Sequence, residues 1–329
     1  MRVVALEEHI SLPDLVKQIP AEAIAKHSLT TPPDLVPTIK KVEPQLAEIG
    51  PERLNSMDEN GISVQVLSVS GAGAELLSAE QGPALARQYN DALAQATTTY
   101  SKRFAAFAHS PLTNPEAAAA ELERTVNTYG FKGAMINGLT QDQFLDDPKF
   151  APLLAKAEAL EVPLYLHPGI PPKTVVNAYY SNLPEKAAAV LATAGFGWHA
   201  ETAIHILRLI VSGTFDRYPK LQLIIGHMGE MLPVMMARCD VMFKATDAKT
   251  SRSVSEVLKQ QVYITTSGIF TNPPLQAAIA TFGIDRILFS VDYPYSPNEQ
   301  GKAFMDGLDL NEEDKEKLLH GNADRLLKL

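Results

Sequence analysis

An α/β chain folded as a distorted (β/α)8 TIM barrel is what this sequence predicts, and three observations carry the prediction. Eight short runs rich in Val, Ile, Leu, Phe or Tyr recur along the 329 residues. Longer helix-like stretches separate them, the alternation expected of parallel strands joined by crossover helices. Acidic, amide and imidazole side chains fall repeatedly just where those runs end, the end at which a parallel barrel gathers its loops.

The runs are 3–9, 63–69, 104–108, 132–136, 163–167, 221–226, 262–266 and 286–291. Eight is the number a closed parallel barrel needs. Between them, Asn114-Pro115-Glu116 sets an N-cap side chain before a proline suited to a first helical turn, and an Ala-rich segment follows to about Thr128, where Gly130 stops it. Residues 200–212 place Ala203, Ile206, Leu207 and Ile210 at helical spacing, an apolar face to lay on a sheet. Two connections are longer than usual, 11–50 and 168–199. They predict long loops at the C-terminal face, as lids or substrate walls or as surface excursions. The chain exceeds the ~250 residues typical of such barrels, yet one domain over 1–329 is the expectation, since barrels grow by insertion.

A hydrophobic content of 46% with 20% charged residues is that of a folded globular chain. The net charge of -9 and the scattered Lys and Arg residues leave no basic face to neutralise a phosphate backbone, so no nucleic acid partner is expected. Cys239, the single cysteine, excludes an internal disulfide and suits a reducing compartment, which makes the cytoplasm the expected location. Glu7, Glu8 and His9 fall where a signal peptide would place its apolar stretch. No run of ~18 apolar residues occurs, so no membrane association is expected either.

Glu7 and His9 close the first run, Asn137 follows the fourth, His167 ends the fifth, His227 follows the sixth and Asp292 follows the eighth. In a barrel these positions converge at one mouth. Glu7 and His9 are two apart on a strand, so both point to one side while Glu8 points to the other. Glu7, His9, His167 and Asp292 together offer carboxylate oxygens and imidazole nitrogens, donors that suit Zn(II), Mn(II) or Fe(II). The absence of thiolates argues against a structural zinc cluster. One divalent metal ion is expected, Zn(II) ahead of Mn(II), with no organic cofactor.

Each residue also has a plainer reading. His167, taken singly, reads more readily as a hydrogen-bonded core histidine, and Asp292 before Tyr293-Pro294 as a turn cap. Their joint placement at one barrel end is what favours ligation. His227 lies in Gly226-His227-Met228-Gly229-Glu230, where Glu230 either orients a catalytic imidazole or serves the dipole of a starting helix. Phe196-Gly197-Trp198 offers aromatic side chains, Trp198 among them, to stack on a ring or simply to pack a loop. His199, His205 and His320 sit in helix-like sequence without identifiable partners and are read as structural, as are His27 and His109.

At these residues the chain resembles the amidohydrolase superfamily, and within it the branch of metal-dependent decarboxylases acting on γ-resorcylate, 2,3-dihydroxybenzoate, 5-carboxyvanillate and aminocarboxymuconate semialdehyde. The resemblance runs from Val4–His9 through Phe131–Ala134 with Asn137-Gly138 and Pro163–Pro168. It continues at Gly226–Glu230, Ile264–Gly268 and Asp285–Ser290 with Asp292, and ends at Asn322-Ala323. Hydrolases of the superfamily usually open with His-x-His, whereas Glu7-x-His9 is similar to the benzoate decarboxylases. After His167-Pro168 those relatives read Arg-Asn-Pro where this chain reads Gly169-Ile170-Pro171.

The resemblance implies that Glu7, His9, His167 and Asp292 bind the metal, that His227 and Glu230 are the catalytic histidine and its partner, and that Asn137 touches substrate. Arg238 matches an arginine that reaches a neighbouring subunit's site, which implies a homodimer or homotetramer. The implied reaction is non-oxidative decarboxylation of a small aromatic carboxylate of the 2,3- or 2,6-dihydroxybenzoate kind. Asp292 protonates the ring carbon that bears the carboxylate, His227 assists the proton traffic and Arg238 steadies the anion. Three rivals stand beside it: a hydrolase of a lactone or amide with Asp292 as general base, a hydratase sharing the same site, and a non-catalytic barrel that binds metal or ligand as scaffold or sensor.

Overall fold

The computed structural model describes residues 1–27, 29, 36–71 and 73–329. Its strands are β1 (Val4–Ile10), β2 (Val64–Val69), β3 (Phe104–Ala106), β4 (Ala108–His109), β5 (Ala134–Asn137), β6 (Leu164–His167), β7 (Leu223–Ile225), β8 (Val262–Thr265) and β9 (Ile287–Leu288). Every neighbouring pair is parallel, in the orders β1-β2-β3 and β4-β5-β6-β7-β8-β9. β3 and β4 are two halves of the expected third run, interrupted at Phe107, whose N–H still donates to the Leu67 carbonyl at 3.0 Å. The ring closes where Leu6 bridges Ser290 in parallel and its N–H donates to Phe289 at 3.2 Å. This is the (β/α)8 barrel, with its expected strands placed to within a few residues.

Alternation along the strands sorts the core into two layers. Val4, Leu6, Val66, Phe107, Met135, Tyr165, Ile224, Tyr263 and Leu288 fill the barrel interior. Ala5, Leu67, Ala134, Leu164, Leu223 and Ile264 face the helices outside. The helix Pro115–Tyr129 starts and stops as its sequence predicts: the Asn114 side chain accepts from Ala117 N at 3.1 Å, and Gly130 takes φ 70°. The helix Gly197–Val211 buries Thr202, His205, Ile206, Leu209 and Ile210, so its inner stripe is turned slightly from the expected one, with Ala203 and Leu207 at its edge.

The two long connections differ from expectation. Residues 11–50 carry helices Pro13–Val16, Ala21–His27 and Val36–Ala47, and residues 28 and 30–35 of that stretch lie outside the described residues. Residues 168–199 carry helices Lys173–Tyr179 and Glu185–Ala192, of which only Ala192 is buried. Helices that bury so little leave almost no apolar periodicity to read. Among the described residues no helix is long and apolar enough to cross a membrane.

Candidate metal centre

A bulge in β1 builds the first half of the site. Val4 pairs with Val64 and Ala5 with Gln65, but the next partners are Glu8 with Leu67 and His9 with Ser68, and Glu7 takes φ 61°. With Val4 and Leu6 pointing inward, an unbroken alternation would have sent Glu7 and His9 outward. One extra residue reverses the phase and turns both into the mouth. There one ligand-capable atom each from Glu7, His9, His167 and Asp292 lies within 4.8 Å of every other. His167 Nε2 is 3.2 Å from Glu7 Oε1, and His9 Nε2 is 3.1 Å from Asp292 Oδ1.

The Glu7 carboxylate is held by one oxygen and free at the other. Oε2 accepts from the hydroxyls of Tyr165 and Ser267, with Thr265 at 3.4 Å. Oε1 and His9 Nε2 are buried and have no hydrogen-bond partner. An uncompensated buried carboxylate oxygen costs on the order of 1–3 kcal/mol and more when charged, so this oxygen beside an unpaired imidazole nitrogen describes a place for a cation. Burial alone would raise the Glu7 carboxyl, but His227, His167 and His9 hold it far below the ordinary carboxylate range. His167 Nδ1 lies 2.7 Å from the Pro168 carbonyl; donating there leaves the Nε2 lone pair toward the site. The donor set and its unpaired atoms fit a divalent metal ion.

None of the residues that shape Glu7 was singled out from the sequence. Tyr165 precedes His167 by two, hence on the same strand face, and Thr265 and Ser267 are likewise two apart at the end of β8. Period-two counting back from each strand end would have found them. Gly226 is needed for room: a Cβ there would lie 2.8 Å from Glu7 Oε2.

Glu8 does point to the far side of the barrel wall, where it joins a second layer. Its Oε1 accepts from Val291 N at 2.9 Å and its Oε2 from the Gln65 amide at 3.1 Å. Arg53, itself buried, donates to Gln65 at 3.2 Å and to the His9 carbonyl at 2.7 Å. Burial pushes the Glu8 carboxyl up to about 8, against the backbone bond from Val291 and the Arg53 charge. The layer fixes the main chain of His9 and of Val291, next to Asp292.

After β7 the chain turns through His227, Met228, Gly229, Glu230 and Met231, all at positive φ, before the helix Leu232–Phe243 begins. Four of these are not glycine, and backbone held this way is commonly stored at functional sites. The turn aims His227 Nδ1 at Glu230 Oε1, 2.8 Å away, and leaves His227 Nε2 3.6 Å from Glu7 and 4.0 Å from Asp292. Burial disfavours a charged imidazole here, but Glu230, Glu7 and Asp292 outweigh it and push His227 up to about 10.

His199 corrects the reading of it as a structural histidine without a partner. Its Nδ1 lies 2.8 Å from the other Glu230 oxygen, and its ring centroid is 4.4 Å from that of His227. The pairing spans 31 residues, so no local pattern announced it. His199, His227 and Glu230 thus form a second histidine-carboxylate cluster. His205, by contrast, is a core histidine accepting from Leu145 N at 2.8 Å, His109 accepts from Ala74 N at 2.9 Å, and His320 pairs with Asp324. His27 is exposed on a helix and contacts the Ala23 carbonyl.

Asn137 ends β5 directly beside His167 and has no hydrogen-bonding partner for its side chain among the described residues. Trp198 lies 6.5 Å from the His167 ring and donates its indole N–H to His199 Nε2 at 3.1 Å. Arg238 is exposed on the helix Leu232–Phe243 and is not brought to this mouth.

The amidohydrolase family profile matches residues 38–329. Gamma-resorcylate decarboxylase from Rhizobium sp. (strain MTP-10005) is 36% identical over 338 aligned positions, covering 99% of this chain and 98% of that protein. Among solved structures, the dihydroxybenzoic acid decarboxylase of Polaromonas sp. JS666, with bound manganese and the inhibitor 2-nitroresorcinol, superposes with a TM-score of 0.88 at 33% identity over 100% of this chain and 97% of that one. The 5-carboxyvanillate decarboxylase of Sphingomonas paucimobilis does so with a TM-score of 0.90 at 29% identity, over 100% and 99%. By its barrel, the carboxylate and histidines at its mouth and this extent of similarity, the chain belongs to the amidohydrolase family.

Proposed function

We propose that the protein is a metal-dependent carboxy-lyase that releases carbon dioxide from an aromatic acid carrying a hydroxyl next to the carboxylate. The observation that carries the reading is the pairing of an open, acid-rich centre with an imidazole, His227, that Glu230, 2.8 Å away, orients toward it. Decarboxylation of a carboxylate consumes one proton at carbon, so a site stocked with proton donors suits it. The names of the relatives support the substrate class: gamma-resorcylate and 5-carboxyvanillate each carry a hydroxyl beside a carboxylate.

A divalent cation held by Glu7, His9, His167 and Asp292 would supply positive charge opposite the substrate's carboxylate and phenolic oxygens. Asp292 donates a proton to the ring carbon bearing the carboxylate. The carbon–carbon bond then breaks, its electron pair returns to the ring and carbon dioxide departs. His227, oriented by Glu230, supports the phenolic oxygen and the resupply of the proton. Asn137, beside His167 at the end of β5, and Trp198, 6.5 Å from the His167 ring, contact the ring and its substituents. Zn(II) is the ion expected from the donors, and the manganese in the Polaromonas structure sets Mn(II) beside it.

Arg238 belongs to a neighbouring copy's site in this reading. Around it on the helix Leu232–Phe243, Val234, Met235, Val241 and Met242 are all exposed, an apolar face suited to pairing into a homodimer or homotetramer. Residues 1–329 act as one domain, in a reducing compartment such as the cytoplasm.

The test is a panel of hydroxylated benzoates offered to protein loaded with Zn(II) or Mn(II), in D2O. Loss of ring-acid absorbance with carbon dioxide release, and one deuterium on the vacated carbon, is expected. Ring-opened acids from lactones or amides, without carbon dioxide, would replace the proposal with a hydrolase.

A further inference from the structure

We infer that His199 is a positioning residue, whose bond to one oxygen of Glu230 holds the carboxylate in the orientation that aims His227 at the metal centre. Glu230 is fully buried, and each of its oxygens meets one imidazole nitrogen at 2.8 Å: His227 Nδ1 on Oε1 and His199 Nδ1 on Oε2. A carboxylate turns readily about its last torsion, so a single partner would leave its plane free. Two donors on opposite oxygens fix it.

The proton on His199 Nδ1 follows from its other nitrogen. The Trp198 indole can only donate, and it points at His199 Nε2 from 3.1 Å, so in the neutral ring the hydrogen sits on Nδ1. The Ala194 carbonyl, 3.2 Å from the same Nε2, would take a hydrogen only from the doubly protonated ring, which also carries one on Nδ1. In either state His199 donates to Glu230. The alternative is a plain pin, in which the same contact fastens the helix Gly197–Val211 to the turn after β7 without affecting His227.

The inference rests on the proposed decarboxylation for its kinetic readout. Asparagine places an amide N–H near the position of His Nδ1, whereas glutamine reaches toward that of Nε2. His199→Gln and His199→Ala should lower kcat about 10- to 100-fold, the usual cost of removing an outer partner, with KM, metal content and Tm little changed. His199→Asn should retain kcat within about threefold. In 15N spectra of the metal-loaded protein, the hydrogen-bonded His227 Nδ1–H should persist in the Asn variant and be lost in the other two. Equal loss of activity in all three variants with falling Tm, or full activity in the Gln variant, would overturn the inference in favour of the pin. Should the Ala variant not fold, the Asn and Gln pair, close to histidine in size, decides alone. Wild-type protein inactive on every hydroxybenzoate would defeat the functional reading, and the 15N comparison would still decide the role of His199.

Discussion

Two histidine-carboxylate clusters sit side by side at the barrel mouth, built from the same side chains and satisfied in opposite ways. Around Glu230, both carboxylate oxygens are matched by imidazole nitrogens at 2.8 Å. Around Glu7, His9, His167 and Asp292, Glu7 Oε1 and His9 Nε2 are buried without partners. A cluster whose hydrogen bonds close on themselves has no use for a cation. One that leaves a carboxylate oxygen and an imidazole nitrogen buried and unpaired has a place for it. The difference supports the proposal that the Glu7 set binds metal and that the Glu230 set orients an acid-base histidine, and each half can be broken separately.

The largest effect is expected at Asp292, which belongs to the open cluster and carries the proposed proton. Asp292→Asn keeps an oxygen near His9 but cannot protonate carbon; kcat on a hydroxybenzoate should fall about 10³-fold or more while most of the bound metal remains. Elemental analysis beside steady-state kinetics checks both halves. Near-normal turnover would remove Asp292 from the mechanism. In the closed cluster the signature differs: Glu230→Gln should lower kcat about 10²-fold with metal content unchanged, because His227 loses its orienting charge and no ligand is touched. Metal loss in that variant would show that the two clusters act as one.

How much of this was legible beforehand follows from the range of the interactions. The strands and the residues at their ends could be read, because alternation and a shared barrel face are properties of the sequence order. The bulge at Glu7 could not: a single residue at φ 61° leaves no compositional mark, though the inward direction of Glu7 and His9 depends on it. Nor could the Arg53–Gln65–Glu8 layer, whose members are joined through the barrel wall, or the His199–Glu230 pair, brought together only when the helix Gly197–Val211 docks against the turn after β7. The helices inside 11–50 and 168–199 escaped for another reason, being held by little burial.

Gly226→Ala tests the open cluster more gently. Gly226 has φ -80°, which alanine adopts without strain, so the substitution acts through its Cβ alone, 2.8 Å from Glu7 Oε2. The carboxylate must shift away from Tyr165 and Ser267. Metal affinity should weaken about tenfold, the low end for disturbing an outer partner, with the fold intact and with the 15N signature of His227 retained. Metal titration of the apo protein measures it, and unchanged affinity would mean that the Glu7 position is not critical.

The smallest effect separates a histidine with a carboxylate from one without, on a single helix. His205 lies six residues beyond His199 but faces the core, accepting from Leu145 N and packed edge-on to Phe144. Burial, with Arg208 nearby, pushes it down to about 3, so it stays neutral in the fold while the unfolded chain takes up a proton below 6.5. Between those values the unfolded state binds more protons, and stability therefore falls as pH falls; above 6.5 both states are neutral and the group contributes no slope. The expected contribution is about 1 kcal/mol lost on going from pH 6.5 to 5.5. Denaturant melts of wild type and His205→Gln, whose side-chain oxygen can accept from Leu145 N without titrating, isolate it from the other groups. The difference between the two stability curves should be flat above pH 7 and slope below it. A difference that stays flat down to pH 4.5 would mean that His205 accepts a proton in the fold.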